Sequence, residues 1–234
     1  MKRVSASTTS ALRPLTMFLL TTAFALSLLG LFANAQPIDT TSAGISAVQA
    51  DFKNSGLIPD LLPSFNPSSL LTVTFPGVGP ISPGQNLSVQ QVAQAPGVTV
   101  TPANSSVPTT GNFTLMMVDA RAVGTNESNG QILHWLANSA TLKNTSSTSP
   151  SLNVSTNGAL VVTNYVSPAP PAGTGVHRYV ILLFSQPSSF SPSGNLSTPN
   201  VGIDLYFHIT DYLSSNKLGL PIAGMFFEVA GPAS

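Results

Sequence analysis

The apolar positions of this chain fall into short runs rather than long helical stripes. Leu71-Thr-Val-Thr-Phe75 alternates apolar and polar side chains, the period of a half-buried strand. Asn86–Val92 alternates likewise, and Val98–Thr101 is a third short β candidate. Phe113-Thr-Leu-Met-Met-Val118 and Tyr179-Val-Ile-Leu-Leu-Phe184 are apolar at nearly every position, so both read as strands covered on two faces, with 179–184 central. Gln131–Ala137 fits helix or strand by period, and Trp135, β-branched content and flanking loops favour strand. Ile222–Val229 is the last strand. Helical spacing is limited to two places. Ile45, Val48 and Phe52 precede a stop at Gly56, after a polar leader Pro37–Gly44. Val201–Phe207 leads into a helix over Thr210–Lys217, with Asp211 near its start and Gly219 after it. Ile58–Pro67 has too many prolines for helix and reads as extended packing. Pro76–Gly84 reads as a turn, and Thr141–Asn157 and Gln186–Thr198 as exposed Ser/Thr/Asn/Pro loops. The sum is a mainly β fold, an antiparallel β-sandwich with a few short peripheral helices and no internal repeat.

The N-terminus changes the picture of where the protein resides. Lys2, Arg3 and Arg13 precede an apolar stretch, Leu15–Phe32, that ends in Ala33-Asn34-Ala35. That is the layout of a secretory signal peptide over residues 1–35. The stretch is long enough to span a bilayer, but Thr21, Thr22, Ser27, Gly30 and the A-x-A site favour removal, which leaves no transmembrane segment. Residues 36–234 then form one domain, starting at Gln36. Removing three of the eight basic residues and none of the eight acidic ones leaves a formal charge of about −3. Asn-x-Ser/Thr sequons at Asn86, Asn104, Asn112, Asn126, Asn144, Asn153 and Asn195 agree with a secreted glycoprotein, by an extracellular, cell-wall or vacuolar route. Charged residues are only 7% of the chain, too few to build a field that holds nucleic acid. There is no cysteine, which excludes thiol catalysis, zinc–thiolate sites and disulfides, so the core alone must stabilise the fold.

The candidate chemistry gathers around one stretch. A rigid Pro/Gly approach, Pro168–Gly175, runs into Val176-His-Arg178 and then directly into the apolar run 179–184. This holds an imidazole where a loop enters a core strand. Phe113–Asp119 and Gly130–Asn138 look as though they serve the same place, bringing Asp119 and His134 with them. A histidine in an apolar strand is ordinarily a core imidazole satisfied by one hydrogen bond. Two of only three histidines on core strands, near an aspartate that opens a loop, point instead to a shared pocket. Asp119 can fix one imidazole's tautomer and favour its charged form. Neither G-x-S-x-G nor H-E-x-x-H occurs, so a hydrolase is not expected, and neither is a cofactor or metal.

In these blocks the sequence resembles the phosphatidylethanolamine-binding protein family in its secreted fungal form. Phe113–Asp119 is similar to the strand that delivers the family's Asp-Pro-Asp-x-Pro loop, and Leu133-His-Trp-Leu-Ala-Asn138 to its His-Trp-Leu strand. Pro170-Pro-Ala-Gly-Thr-Gly-Val-His-Arg-Tyr179 matches the proline-rich lead and Gly-x-His-Arg signature. Leu218-Gly-Leu-Pro-Ile-Ala-Gly-Met225 falls in the closing block. The resemblance runs from about Ile45 to Val229. It implies a small anion pocket built from Asp119, His134 and His177, with Pro171 and Tyr179 at the mouth. Where the family carries Asp-Pro-Asp-x-Pro, this chain has Asp119-Ala-Arg-Ala-Val123, so both prolines and the second aspartate are absent. Arg121 adds a guanidinium suited to phosphate, or else faces solvent or pairs with Glu127. Arg178 is expected to make an ion pair or carbonyl contacts at the strand start.

The resemblance implies a secreted, non-enzymatic protein that binds phospholipid head groups or small anions. It equally allows a protein-interaction module, such as an inhibitor of a serine carboxypeptidase, whose partner contacts would be sought in residues 36–60. A cell-surface glycoprotein with a degenerate pocket is the third reading.

Overall fold

The computed structural model describes residues 40–125, 128–199 and 202–233. The predicted signal peptide, Asn126 and Glu127 lie outside the described residues. Eleven strands run in the order β1 (Ser69–Phe75), β2 (Gly79–Pro80), β3 (Gln85–Leu87), β4 (Gly97–Pro102), β5 (Phe113–Asp119), β6 (Gln131–Asn144), β7 (Leu152–Ser155), β8 (Leu160–Thr163), β9 (Val176–Ser185), β10 (Asp204–Phe207) and β11 (Ala223–Ala230). Three helices join them: α1 (Thr40–Asn54), the single turn α2 (Leu57–Asp60) and α3 (Ile209–Ser215).

The sheet follows the path β2-β1-β4-β7-β6-β5-β9-β11-β3, with β10 and β8 also paired to β6. Every pair is antiparallel except β11 with β3. The long strand β6 is the corner. Its first part pairs with β5, and its last four residues, Thr141–Asn144, pair with β7. The sheet therefore curls over itself and encloses Leu71, Val73, Phe75, Val98 and Val100 from one half and Leu115, Met117, Ile181, Met225 and Phe227 from the other. Because strand side chains alternate, the remaining apolar residues of β5, β9 and β11 emerge on the far face. There Met116, Val118, Val180, Leu182, Phe184 and Phe226 are covered by the helices through Val48, Phe52, Leu57, Ile209 and Tyr212. Two-sided burial is why 113–119 and 179–184 are apolar at nearly every position.

Several boundaries differ from the sequence reading, each for a local reason. The helix already includes Thr40, the first described residue and inside the expected leader, since Thr, Ser, Ala and Gly can extend it at little cost beyond lost propensity. Within the expected extended segment, Leu57–Asp60 makes one turn, with Ile58 departing to φ −116°, ψ 117°. The strand expected over Asn86–Val92 stops at Leu87. Ser88 and Gln91 then close a reciprocal pair, Ser88 N–H to Gln91 Oε1 (2.8 Å) and Gln91 N–H to Ser88 Oγ (3.3 Å), which is capping-box chemistry in a turn. The expected loop Thr141–Asn157 carries strand near both ends, Thr141–Asn144 and Leu152–Ser155, with Leu142, Leu152 and Val154 packed half-buried against the sandwich core. β8 was not anticipated. α3 ends before Gly219: Lys217 takes φ +54°, Leu218 N–H reaches Leu213 O (2.9 Å) and Lys217 N–H reaches Ser214 O (3.2 Å), a Schellman closure without glycine. Among the described residues no helix is long and apolar enough to cross a membrane.

Phe52 anchors the helical layer. It is fully buried, stacks on Phe65 at 4.0 Å between ring centroids and meets Phe226 edge-on at 5.3 Å. Phe52→Ala is expected to cost about 3–5 kcal/mol, read by chemical denaturation; a loss under about 1 kcal/mol would show that α1 contributes little packing.

Candidate functional site

Register and alternation assemble the site from three distant strands. Asp119, the last residue of β5, lies opposite Tyr179 in β9, and both share a sheet face with His177 two residues earlier. His134 joins them through a β-bulge. The β5–β6 register slips between Met117/Trp135 and Val118/Leu133, so His134 is the extra residue. Leu133 and Leu136 face the helices while Trp135 faces the sandwich core, and His134 turns its ring to Tyr179, edge-on at 5.2 Å. His177 lies over the same tyrosine at 6.4 Å, and Tyr179 stacks on Phe227 at 5.5 Å. The structure thus brings Asp119, His134, His177 and Tyr179 together, and all four are buried.

The hydrogen bonds define what the cluster can do. Asp119 Oδ2 receives His177 Nδ1 at 2.8 Å and Oδ1 receives the Arg121 N–H at 2.6 Å. Burial first, and then the neighbouring Asp119 carboxylate, push the Tyr179 phenol above its ordinary pKa, so it stays neutral. His177 Nε2 is 2.8 Å from Thr174 Oγ1, and that hydroxyl donates to Pro171 O at 2.8 Å. A hydroxyl has one proton, so while it is committed to Pro171 the Thr174 oxygen can only accept at its second contact. Thr174, His177 and Asp119 have the connectivity of a nucleophile, base and orienting acid. The proton of Thr174 points at a carbonyl instead of the imidazole, however, so the threonine is not activated.

Thr174 gave no signal in the sequence. It sits between Gly173 (φ +74°) and Gly175 (φ +87°), left-handed positions that turn its side chain back onto His177. The lead also touches the 119–123 turn, since a Cβ on Gly175 would lie 3.6 Å from Ala122 Cβ. Pro171 is exposed on this lead and contributes its carbonyl rather than a pocket wall.

Arg121 takes φ +57°, its Nε reaches Gly130 O at 3.4 Å, and its backbone is a junction. Its carbonyl accepts from Arg178 N (3.2 Å) and Arg178 Nε (3.1 Å). Arg178, one residue out of phase with His177, emerges on the helix side. It is 1% exposed, donates to Ala120 O and Ser55 O, and has Asp60 Oδ2 at 3.6 Å. Among the described residues no three His, Asp or Glu side chains are grouped to hold a metal ion.

With this geometry in view, comparison with known proteins is decisive for the family. A family model described as phosphatidylethanolamine-binding protein matches residues 64–227, well over half of the chain. The chain belongs to the phosphatidylethanolamine-binding protein family. It is 29% identical over 223 residues to the carboxypeptidase Y inhibitor of Saccharomyces cerevisiae, covering 82% of this chain and 97% of that relative. It is 31% identical over 179 residues to a 26 kDa secreted antigen of Toxocara canis, covering 76% of this chain and 62% of that protein. The crystal structure of carboxypeptidase Y inhibitor complexed with its cognate proteinase superposes with TM-score 0.63 at 26% identity, over 84% of this chain and 98% of the other. A phosphatidylethanolamine-binding protein of Plasmodium falciparum shares the fold at TM-score 0.55 and 16% identity. The mainly β fold expected of this family is therefore what the chain adopts.

Burial pushes the pKa of His134 below its ordinary 6.5, against the opposing pull of the Val166 carbonyl and Asp119. A histidine held neutral in the folded state stabilises it fully above pH 6.5. That contribution is lost as pH falls through the folded value, because the unfolded chain takes up the proton first. Unfolding midpoints are therefore expected to drop between pH 7 and pH 5. His134→Asn, which keeps a donor toward Val166 O, should flatten that part of the profile, and an unchanged slope would contradict the assignment.

Proposed function

We propose that this chain is a non-enzymatic binding protein of the phosphatidylethanolamine-binding family that enters the secretory route and inhibits a serine carboxypeptidase. The observation that carries this reading is the similarity to carboxypeptidase Y inhibitor over 82% of this chain and 97% of that relative, whose structure was determined complexed with its cognate proteinase. The site geometry supports it by weakening the alternative. Asp119 already accepts two donors and Thr174 covers His177 Nε2. Contacts with a peptidase need only the outer surface. α1 keeps Ser42, Ser46, Gln49 and Lys53 exposed while Val48 and Phe52 hold it to the sheet.

The test is inhibition of carboxypeptidase Y and other serine carboxypeptidases by the protein produced from Gln36 onward. Saturable inhibition with a stable complex on size exclusion is expected, and Gln49→Arg with Lys53→Glu should weaken it at least tenfold without lowering stability. Absence of both inhibition and complex for every serine carboxypeptidase tried would end this reading.

The second reading is recognition of a phosphate-like anion by His177 and His134, favoured by their meeting around Tyr179. The anion would take the place of Thr174 on His177 Nε2. Neutral His134, with Nδ1 on Val166 O (2.8 Å), offers only a lone pair at Nε2 and becomes a donor on protonation. Calorimetric titration with phosphorylethanolamine should then show binding that strengthens as pH falls from 7 to 5.5. Thr174→Ala should tighten it several-fold, the ~1 kcal/mol net worth of one hydrogen bond no longer broken. His177→Ala should abolish it. Equal, negligible heat in all three proteins removes this reading.

A further inference from the structure

Three of the seven large apolar side chains left exposed among the described residues lie together. Ile203, Leu205 and Tyr206, on and beside strand β10, are 43%, 48% and 68% exposed. β10 pairs with β6 at only two registers, with an irregularity between them, so it is the least secured strand of this region. An apolar, weakly paired strand at a surface is a liability for edge-to-edge association unless something covers it. These residues line a cleft of about 590 Å³ together with Asp204, Leu196 and Asn195.

Asn195 heads the sequon Asn195-Leu-Ser197, is exposed, and sits in a short 3-10 turn, Gly194–Ser197. The six sequon asparagines among the described residues are all exposed, and this one opens into the same cleft as the apolar strand. We propose that Asn195 carries an N-linked glycan whose first sugars lie in this cleft and cover Ile203, Leu205 and Tyr206. The assignment rests on the secretory part of the proposed function. In the modification Asn195 Nδ2 loses a proton and bonds to the anomeric carbon of the first N-acetylglucosamine, while that carbon's bond to a lipid diphosphate carrier breaks.

The chemistry of the cleft suits that occupant. The C–H face of a pyranose packs on Tyr206 and Leu205 as a half-apolar surface. The sugar's hydroxyl and N-acetyl groups meet Asp204 and Ser193, which line the same cleft. Attachment is covalent, so the sugar occupies the cleft at high effective concentration and needs little intrinsic affinity.

The full chain secreted from a eukaryotic host decides the matter. Glycopeptide mass spectrometry should find Asn195 occupied. Hydrogen exchange of amides 204–207 is then compared with the glycan intact, trimmed to one N-acetylglucosamine, and removed completely from the folded protein. Intact and trimmed forms should protect these amides alike, and complete removal should speed their exchange several-fold and raise bis-ANS fluorescence. Ser197→Ala should reproduce the effect and Asn153→Gln should not; if Ser197→Ala is not secreted, the enzymatic comparison stands alone. Unchanged exchange after complete removal overturns the proposal. So does a bare Asn195 in a chain glycosylated elsewhere, whereas a chain bare at every sequon overturns the secretory reading as well.

Discussion

The Asp119 carboxylate is the point on which the loop ends of this sandwich depend. It is 1% exposed, and a buried carboxylate is tolerable only where donors replace the water it has lost. Here an amide N–H and an imidazole do so. The two donors belong to different structural commitments: the 119–123 turn and the start of β9. Arg178 repeats the logic on the other face, its guanidinium shared among carbonyls of the same turn and the end of α1. The sequence Asp119-Ala-Arg-Ala-Val123 lacks the prolines that would fix such a turn by covalent restriction. It is fixed by hydrogen bonds to both faces of one strand, strong enough to hold Arg121 in a left-handed conformation that disfavours any residue with a Cβ.

That division of labour explains what could be read from the sequence. Buried strands with two apolar faces, 113–119 and 179–184, announce themselves because every position is constrained. So does the pairing of Asp119 with His177, since alternation puts both on one face once the strands are neighbours. The bulge at His134 leaves no such trace. A period of two would have sent His134 and Trp135 to opposite faces, and only the slipped register reveals that both turn inward. The strands hidden in 141–155 are obscured for a related reason. They are half-buried, their outward positions are Thr141, Lys143, Asn153 and Ser155, and that polar composition is equally that of a loop. Thr174 is the least visible of all, because its role depends on two flanking glycines bending the chain by conformations no side chain encodes.

Closure of the cluster also bears on how the family's fold can serve different ends. Buried polar groups that satisfy one another rigidify the structure, whereas groups held open for a ligand leave desolvated donors unpaired in its absence. At Asp119 and His177 the first arrangement prevails, with the Thr174 hydroxyl on His177 Nε2. Exchanging one oxygen for another at His177 costs little in hydrogen-bond number. It does require the lead to move, and that lead is bonded to the chain end through Gly173 N–H to Pro232 O and Gly231 N–H to Gly175 O, each 3.2 Å. A site so tied favours a constant surface over an adaptable pocket, which is the property an inhibitor needs.

The same economy of charge governs the exterior. With charged residues at 7% and no cysteine, neither strong electrostatic repulsion between molecules nor covalent bracing is available. The fold compensates by shortening its edges: β2 has two residues and β3 three, too few to template another chain. β10 cannot be shortened in this way, because Phe207 at its end is 2% exposed and belongs to the helix-side core with Ile209 and Tyr212. Anchoring Phe207 places Leu205 and Tyr206 at the surface as a geometric consequence. A covering that is both uncharged and hydrated would offset them, and the sugar proposed on Asn195 would meet both conditions where a lysine or glutamate would meet only one.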